Sequence, residues 1–208
     1  HGYYRARSDL KELAFVLAGH CGDGHRIMMH IAVFDLDKTL TDRDCFVRFL
    51  LYLRSRGHRL DVGAALWRFG LSRASLKRSQ CALLRGSDKE TIDALARDFF
   101  EQRAKGWLRP SIVDSLNEHK AHGDLVIIVS ASLSLYVSCF ASFLETEFLA
   151  TELESDGSVL TGQIHGENVR GQEKVSKLDT FLSRAGYERS ELFVTAYGDS
   201  AGDTKMLA

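Results

Sequence analysis

The chain has 208 residues, 45% of them hydrophobic and 26% charged, with a formal net charge of −1. That is the composition of a folded globular protein, long enough for one full core plus an inserted subdomain, and its balanced charge gives no nucleic-acid-binding surface. No apolar run reaches membrane-spanning length, and AFVLAG at residues 14–19 is too short and lacks a signal-peptide pattern.

The first segment, residues 1–27, contains His20, Cys21, Asp23 and His25. These are metal-ligand types, but no second half stands at zinc-finger spacing, so the cluster reads as a glycine-rich turn. The four cysteines, Cys21, Cys45, Cys81 and Cys139, form no CxxC pair and read as reduced thiols of a cytoplasmic protein.

An unbroken apolar run predicts a buried strand over 30–35. CFVRFLLYLRSRG follows, with Phe46, Phe49, Leu50 and Leu53 at helical spacing and Gly57 as a stop. RLDVGAALWRFG, ASLKRSQCALLRG and SDKETIDALARDFFEQRAKG are further amphipathic pieces, the last opened by a Ser87/Glu90 capping box. After Pro110 come a helix ending at Gly123, a second buried strand in DLVIIVSAS and a helix in SLYVSCFASFL. FLATELE and GSVLTGQI flank an Asp156–Gly157 hairpin turn. EKVSKLDTFLSRAG predicts a helix with Val175, Leu178, Phe181 and Leu182 on one face, and ELFVTAYGDS a last buried strand. Strands alternating with helices give a doubly wound (Rossmann-like) parallel α/β sheet. The helical pieces after the first strand are too many for one crossover, so residues 43–107 are expected to form an inserted helical cap. The catalytic core is then 28–42 with 108–208.

In such sheets ligands bind beyond the carboxyl ends of the strands. Asp35, Asp37, Ser130, Asp199 and Asp203 all fall there. Asp35 and Asp37 are two residues apart, so an extended strand would aim both to one side. Two carboxylates about 5 Å apart repel by about 3 kcal/mol at an effective dielectric of about 20. Solvent, a shared proton, a lysine or a bound cation must offset that. Each piece also has an ordinary explanation: a helix-capping loop at Asp35–Asp37, an N-cap at Ser130, a solvated lysine at Lys174, an Asx-turn in GDSAGD.

Taken in order, FDLDKTLT (Asp35, Asp37, Thr39), VIIVSAS (Ser130), GQEKV (Lys174) and YGDSAGDTKML (Asp199, Ser200, Asp203) resemble the haloacid dehalogenase-like superfamily, in its phosphoserine-phosphatase-like branch (subfamily IB). The resemblance runs from about Ile31 to the last residue and implies a Mg²⁺-dependent phosphatase. It assigns Asp35 as nucleophile and Asp37 as acid and base, with Lys174 stabilising the transition state. Thr39, Ser130 and Lys174 become phosphate ligands, and Asp35, Asp37 (through its carbonyl), Asp199 and Asp203 metal ligands. A second Asp at position 37 argues for phosphoryl transfer rather than halide displacement.

The cap is expected to cover the catalytic loop and select the substrate, a small-molecule or lipid phosphate ester. Asp44 falls where phosphoserine phosphatases carry a Glu for the substrate ammonium; it serves equally as a cap for the helix starting at Cys45. Arg78 and Arg85 are both candidates for the family's serine-binding arginine, and Lys38 stands where those phosphatases carry Ser. DCFVRFLLYL also resembles bacterial phosphatidylglycerophosphate phosphatases, though such a stripe is more often a helix-packing face. Elsewhere in the branch the fold continues past the last motif. Residues 1–27 are therefore expected either to complete the core, in a permuted arrangement or from a neighbouring molecule, or to be an unrelated leader. The alternatives to hydrolysis are a phosphotransferase or phosphomutase and a receiver-like switch that is merely phosphorylated.

Overall fold

The computed structural model of the chain describes residues 29–63, 73–187 and 192–199. Residues 1–27, most of RLDVGAALWRFG, Ser200 and Asp203 lie outside the described residues. Among the described residues five strands form one sheet: β1 (Met29–Phe34), β2 (Leu125–Leu133), β3 (Glu147–Asp156), β4 (Val159–His165) and β5 (Leu192–Tyr197), in the spatial order β4-β3-β2-β1-β5. The helices are α1 (Phe46–Ser55), α2 (Arg73–Ala82), α3 (Lys89–Gln102), α4 (Pro110–Ala121), α5 (Ser134–Leu144) and α6 (Gln172–Arg184).

β1 pairs in parallel with both β2 and β5, and β2 in parallel with β3. Only β4 runs antiparallel, as the return strand of the hairpin turning at Asp156–Gly157, where Gly157 takes φ +59°. The pleat of β1 divides the core. Ile31 and Val33 face one side and pack with Ile127, Val129, Leu178 and Leu182, the last two from α6. Ala32 and Phe34 face the other side, with Ile128, Leu116 of α4, and Tyr136 and Phe140 of α5. A strand covered by helices on both faces must be apolar throughout, which is why β1 and β2 read as continuous hydrophobic runs.

The helices between β1 and α4 join this second cluster. Phe46, Phe49, Leu50 and Leu53 of α1 are buried in it with Ile92, Ala96 and Phe99 of α3. The apolar stripe of α1 is thus a packing face. The chain leaves and returns at one neck: Thr41 bridges Leu108, Asp42 N–H donates to Trp107 O at 2.9 Å, and Arg109 N–H to Leu40 O at 2.8 Å.

On its other side this region is joined to β4. Gly86 N–H donates to Leu160 O at 2.9 Å, Leu160 N–H to Ser87 O at 2.9 Å, and Lys89 N–H to Ser158 O at 2.7 Å. These bonds cover an edge strand that would otherwise present unpaired backbone groups. They also correct the expected capping box. Ser87 is committed to the β4 ladder, and its hydroxyl lies 2.9 Å from His58 Nε2. The cap of α3 is Asp88, whose carboxylate accepts from Thr91 N–H at 2.9 Å. A carboxylate at that position also suits the helix dipole.

Close approach here requires a glycine. Gly162 of β4 has φ +75°, and a Cβ on it would stand 2.9 Å from Arg85 Cβ and 3.0 Å from Ala82 Cα. Left-handed backbone and a clash with main chain each cost on the order of 1–2 kcal/mol. Gly162→Ala is expected to lower stability by about 2 kcal/mol or more in urea unfolding, and a shift below about 0.5 kcal/mol would contradict this packing.

Candidate active site

β1 ends at Phe34, one residue earlier than its apolar run suggests, so Asp35 and Asp37 do not share a strand face. Asp35 stands just before, and Asp37 within, a tight turn, Leu36–Leu40, after which Thr41 N–H returns to Leu36 O at 2.9 Å. Lys38, exposed, takes φ +63°, a left-handed conformation costing about 1 kcal/mol for a residue with a side chain. The turn separates the two carboxylates and gives each its own partners.

Asp35 is buried, and Lys174 Nζ lies 2.6 Å from its Oδ1. Lys174 is 2% exposed, so the first turn of α6 delivers its ammonium into the protein and the solvated-lysine reading fails. This lysine is one of the offsets that the carboxylate pair requires. Asp37 is half-buried. Its Oδ1 accepts from Cys45 N–H at 2.7 Å and its Oδ2 from the Ser132 hydroxyl, which in turn accepts from Tyr136 OH at 2.8 Å. Burial raises the Asp37 carboxyl above the usual aspartate value; the Asp44 charge adds to the rise, and the Ser132 and Cys45 hydrogen bonds oppose it.

Ser130, near the end of β2, is buried, and its Oγ accepts from Ser132 N–H at 3.1 Å. It does not cap α5, whose N-cap is Leu133. Thr39 is buried, and among the described residues its hydroxyl has no hydrogen-bond partner. Asp44 is exposed and accepts from Phe46 N–H at 3.0 Å, satisfying the first main-chain donor of α1, whose N-cap position is Cys45. Arg78 and Arg85 are exposed. A residue without a motif, Lys77 of α2, holds its ammonium 3.8 Å from the Phe46 ring centroid. Burial lowers its pKa, opposed by Cys81, Asp37 and Asp44 in that order.

Asp199 is exposed, two residues beyond the end of β5. Phe34 and Tyr197 are register partners, and Asp35 N–H donates to Tyr197 O at 2.9 Å. The Asp35 and Asp199 loops therefore leave neighbouring parallel strands at the same edge of the sheet. Among the described residues no group of three or more His, Cys, Asp or Glu is gathered as a metal cage. Asp35 and Asp199, completed by carbonyl, phosphate or water oxygens, would make a hard donor set of the kind that suits Mg²⁺ rather than zinc.

The family model described as haloacid dehalogenase-like hydrolase matches residues 32–208. Protein CicA of Caulobacter vibrioides is 34% identical over 193 residues, which cover 89% of this chain and 84% of CicA. The chain belongs to the haloacid dehalogenase-like hydrolases. Solved structures share the hydrolase's fold. A Bordetella pertussis Tohama I protein of unknown function aligns over 86% of each chain at 23% identity, with a TM-score of 0.74. An apo phosphoserine phosphatase aligns over 86% of this chain and 81% of its own at 19% identity, with a TM-score of 0.59.

In this haloacid dehalogenase-like hydrolase, motif reading alone missed Ser132, Tyr136 and Lys77. Ser132 had a signal: it lies two residues beyond Ser130, the spacing of side chains on one strand face. Lys77 had none, because its helix has no fixed relation in sequence to the β1 turn.

Proposed function

We infer that this hydrolase is a Mg²⁺-dependent phosphomonoesterase that works through an aspartyl-phosphate on Asp35. The observation that supports this reading most is the unequal treatment of two carboxylates two residues apart. Asp35 faces a buried ammonium, while Asp37 has neutral donors and a raised pKa. Environments that differ in this way divide carboxylates into an ionised nucleophile and a proton carrier.

In the first step an Asp35 oxygen attacks phosphorus, the bond to the ester oxygen breaks, and Asp37 gives that oxygen its proton. In the second, Asp37 takes a proton from water as the water oxygen attacks phosphorus. Orthophosphate leaves and both carboxyl groups return to their starting states. Lys174, Ser130 and Thr39 bind the non-bridging oxygens, where charge grows in the transition state. Asp35 and Asp199 would hold Mg²⁺, with the main-chain carbonyl of Asp37 and with Asp203. When bound, the ion reduces repulsion between the attacking carboxylate and the phosphate.

The assignment places the core at 28–42 and 108–208 and the substrate-selecting cap at 43–107. Asp44 and Lys77 then offer both signs of charge beside the site, which suits a small phosphate ester bearing an amino and an acidic group, as phosphoserine does. The test is phosphate release from p-nitrophenyl phosphate and from a panel of amino-acid, sugar, nucleotide and lipid phosphates. Turnover that EDTA abolishes and Mg²⁺ restores is expected. No release from any of them overturns the reading, and labelled water that fails to label the phosphate points to transfer onto an alcohol instead.

Thr39 gives a sharper check. A buried hydroxyl without a partner costs about 1–3 kcal/mol, which a phosphate oxygen would relieve. Thr39→Val, nearly the same shape, is expected to leave thermal stability unchanged or slightly raised while weakening inhibition by orthophosphate about tenfold.

A further inference from the structure

The buried chain of hydroxyls behind Asp37 has a polarity that elementary valence dictates. When Asp37 is ionised, as it is between protonating the ester oxygen and taking the proton of water, its carboxylate only accepts, so the single proton of Ser132 points at Asp37 Oδ2. Ser132 Oγ is then an acceptor toward Tyr136, and the Tyr136 hydroxyl must donate to it across 2.8 Å. Tyr136 is fully buried, its ring packed against Phe49 and Phe99 at centroid distances of 5.1 and 6.0 Å. Ser132 is 2% exposed, on the part of β2 where the pairing with β3 shifts register between Ser130 and Leu133. The other carboxylate oxygen accepts from the main-chain N–H of Cys45, just before α1.

Both oxygens of Asp37 are thus gripped by donors from well-packed elements, which fixes the plane of the carboxyl group. A proton carried by Asp37 is restricted to the lone pairs facing away from Ser132 and Cys45. We propose that Ser132, backed by Tyr136, is a positioning residue that orients Asp37 so that its proton is presented to the ester oxygen of the substrate. This rests on the phosphomonoesterase reading and extends it to Ser132, the second serine of VIIVSAS, and to Tyr136, outside the motifs.

Proton donation matters little when the leaving group is a stable anion and much when it is an alkoxide. The informative quantity is therefore kcat/KM, which reports transfer to Asp35, compared between p-nitrophenyl phosphate and simple alkyl phosphates. In Ser132→Ala the ratio of alkyl to aryl kcat/KM is expected to fall about tenfold or more. Tyr136→Phe, which keeps the ring and removes only the distal donor, is expected to shift the ratio in the same direction by a smaller factor. It carries the comparison alone if Ser132→Ala fails to fold. Equal losses on both substrate types in the folded variants would reduce Ser132 to a packing role and overturn the proposal. A wild-type protein that hydrolyses neither substrate type rejects the phosphomonoesterase reading itself, a separate outcome.

Discussion

Asp35→Asn is expected to abolish phosphatase turnover, with a loss on the order of 10⁴-fold or more, since a neutral amide cannot form the acyl phosphate. The substitution is nearly isosteric, so the Leu36–Leu40 turn and the Asp35 N–H to Tyr197 O bond should persist. The electrostatic effect will be felt in stability as well. The Lys174 ammonium, 2% exposed, loses the carboxylate 2.6 Å away. Removing one partner of a buried ion pair costs about 3–5 kcal/mol when the remaining charge stays ionised. Turnover of p-nitrophenyl phosphate and the thermal midpoint, measured on one preparation, check both halves. Residual activity above about a tenth of wild type would exclude Asp35 as nucleophile.

Lys174→Met should have the second largest effect. Methionine fills a similar volume without charge, so Asp35 loses this cation while packing is largely kept. Stability is expected to fall by about 3 kcal/mol, and turnover by about 10²-fold or more because the growing negative charge in the transition state loses its lysine. The double variant Asp35→Asn with Lys174→Met separates the two effects. With neither charge present, stability should return toward wild type while turnover stays absent. A double variant as unstable as the sum of the singles would mean that the 2.6 Å contact contributes no coupling.

Much of this architecture was legible in the residue order. The continuous apolar runs of β1 and β2 announce strands covered on both faces, and Asp156–Gly157 announces the one antiparallel return. SLYVSCFASFL coincides with α5. The order of acidic, hydroxyl and lysine motifs led to the family that the comparisons show. What escaped were contacts whose partners are far apart in sequence. Ser87 with Glu90 has capping-box spacing, but pairing of Ser87 with Leu160, over seventy residues away, moved the cap to Asp88. Position alone made Lys174 one first-turn lysine among others and the GQEKV resemblance singled it out, but its burial against Asp35 depends on how α6 seats on the sheet. The local geometry of Asp37 was misread for a related reason. Alternation applies only inside a strand, and β1 stops before either aspartate.

The double attachment of the region between β1 and α4 bears on how a substrate gets in. A flap that swings on a single stalk can admit a bulky ester by rotating as a unit. Here the stalk at Thr41 and Leu108 is matched by a second moor on the opposite flank, where three main-chain bonds tie Gly86–Lys89 to the tip of the β3–β4 hairpin. Wholesale swinging would rupture one set or the other. Opening as one rigid flap would therefore cost main-chain hydrogen bonds that a singly hinged region keeps.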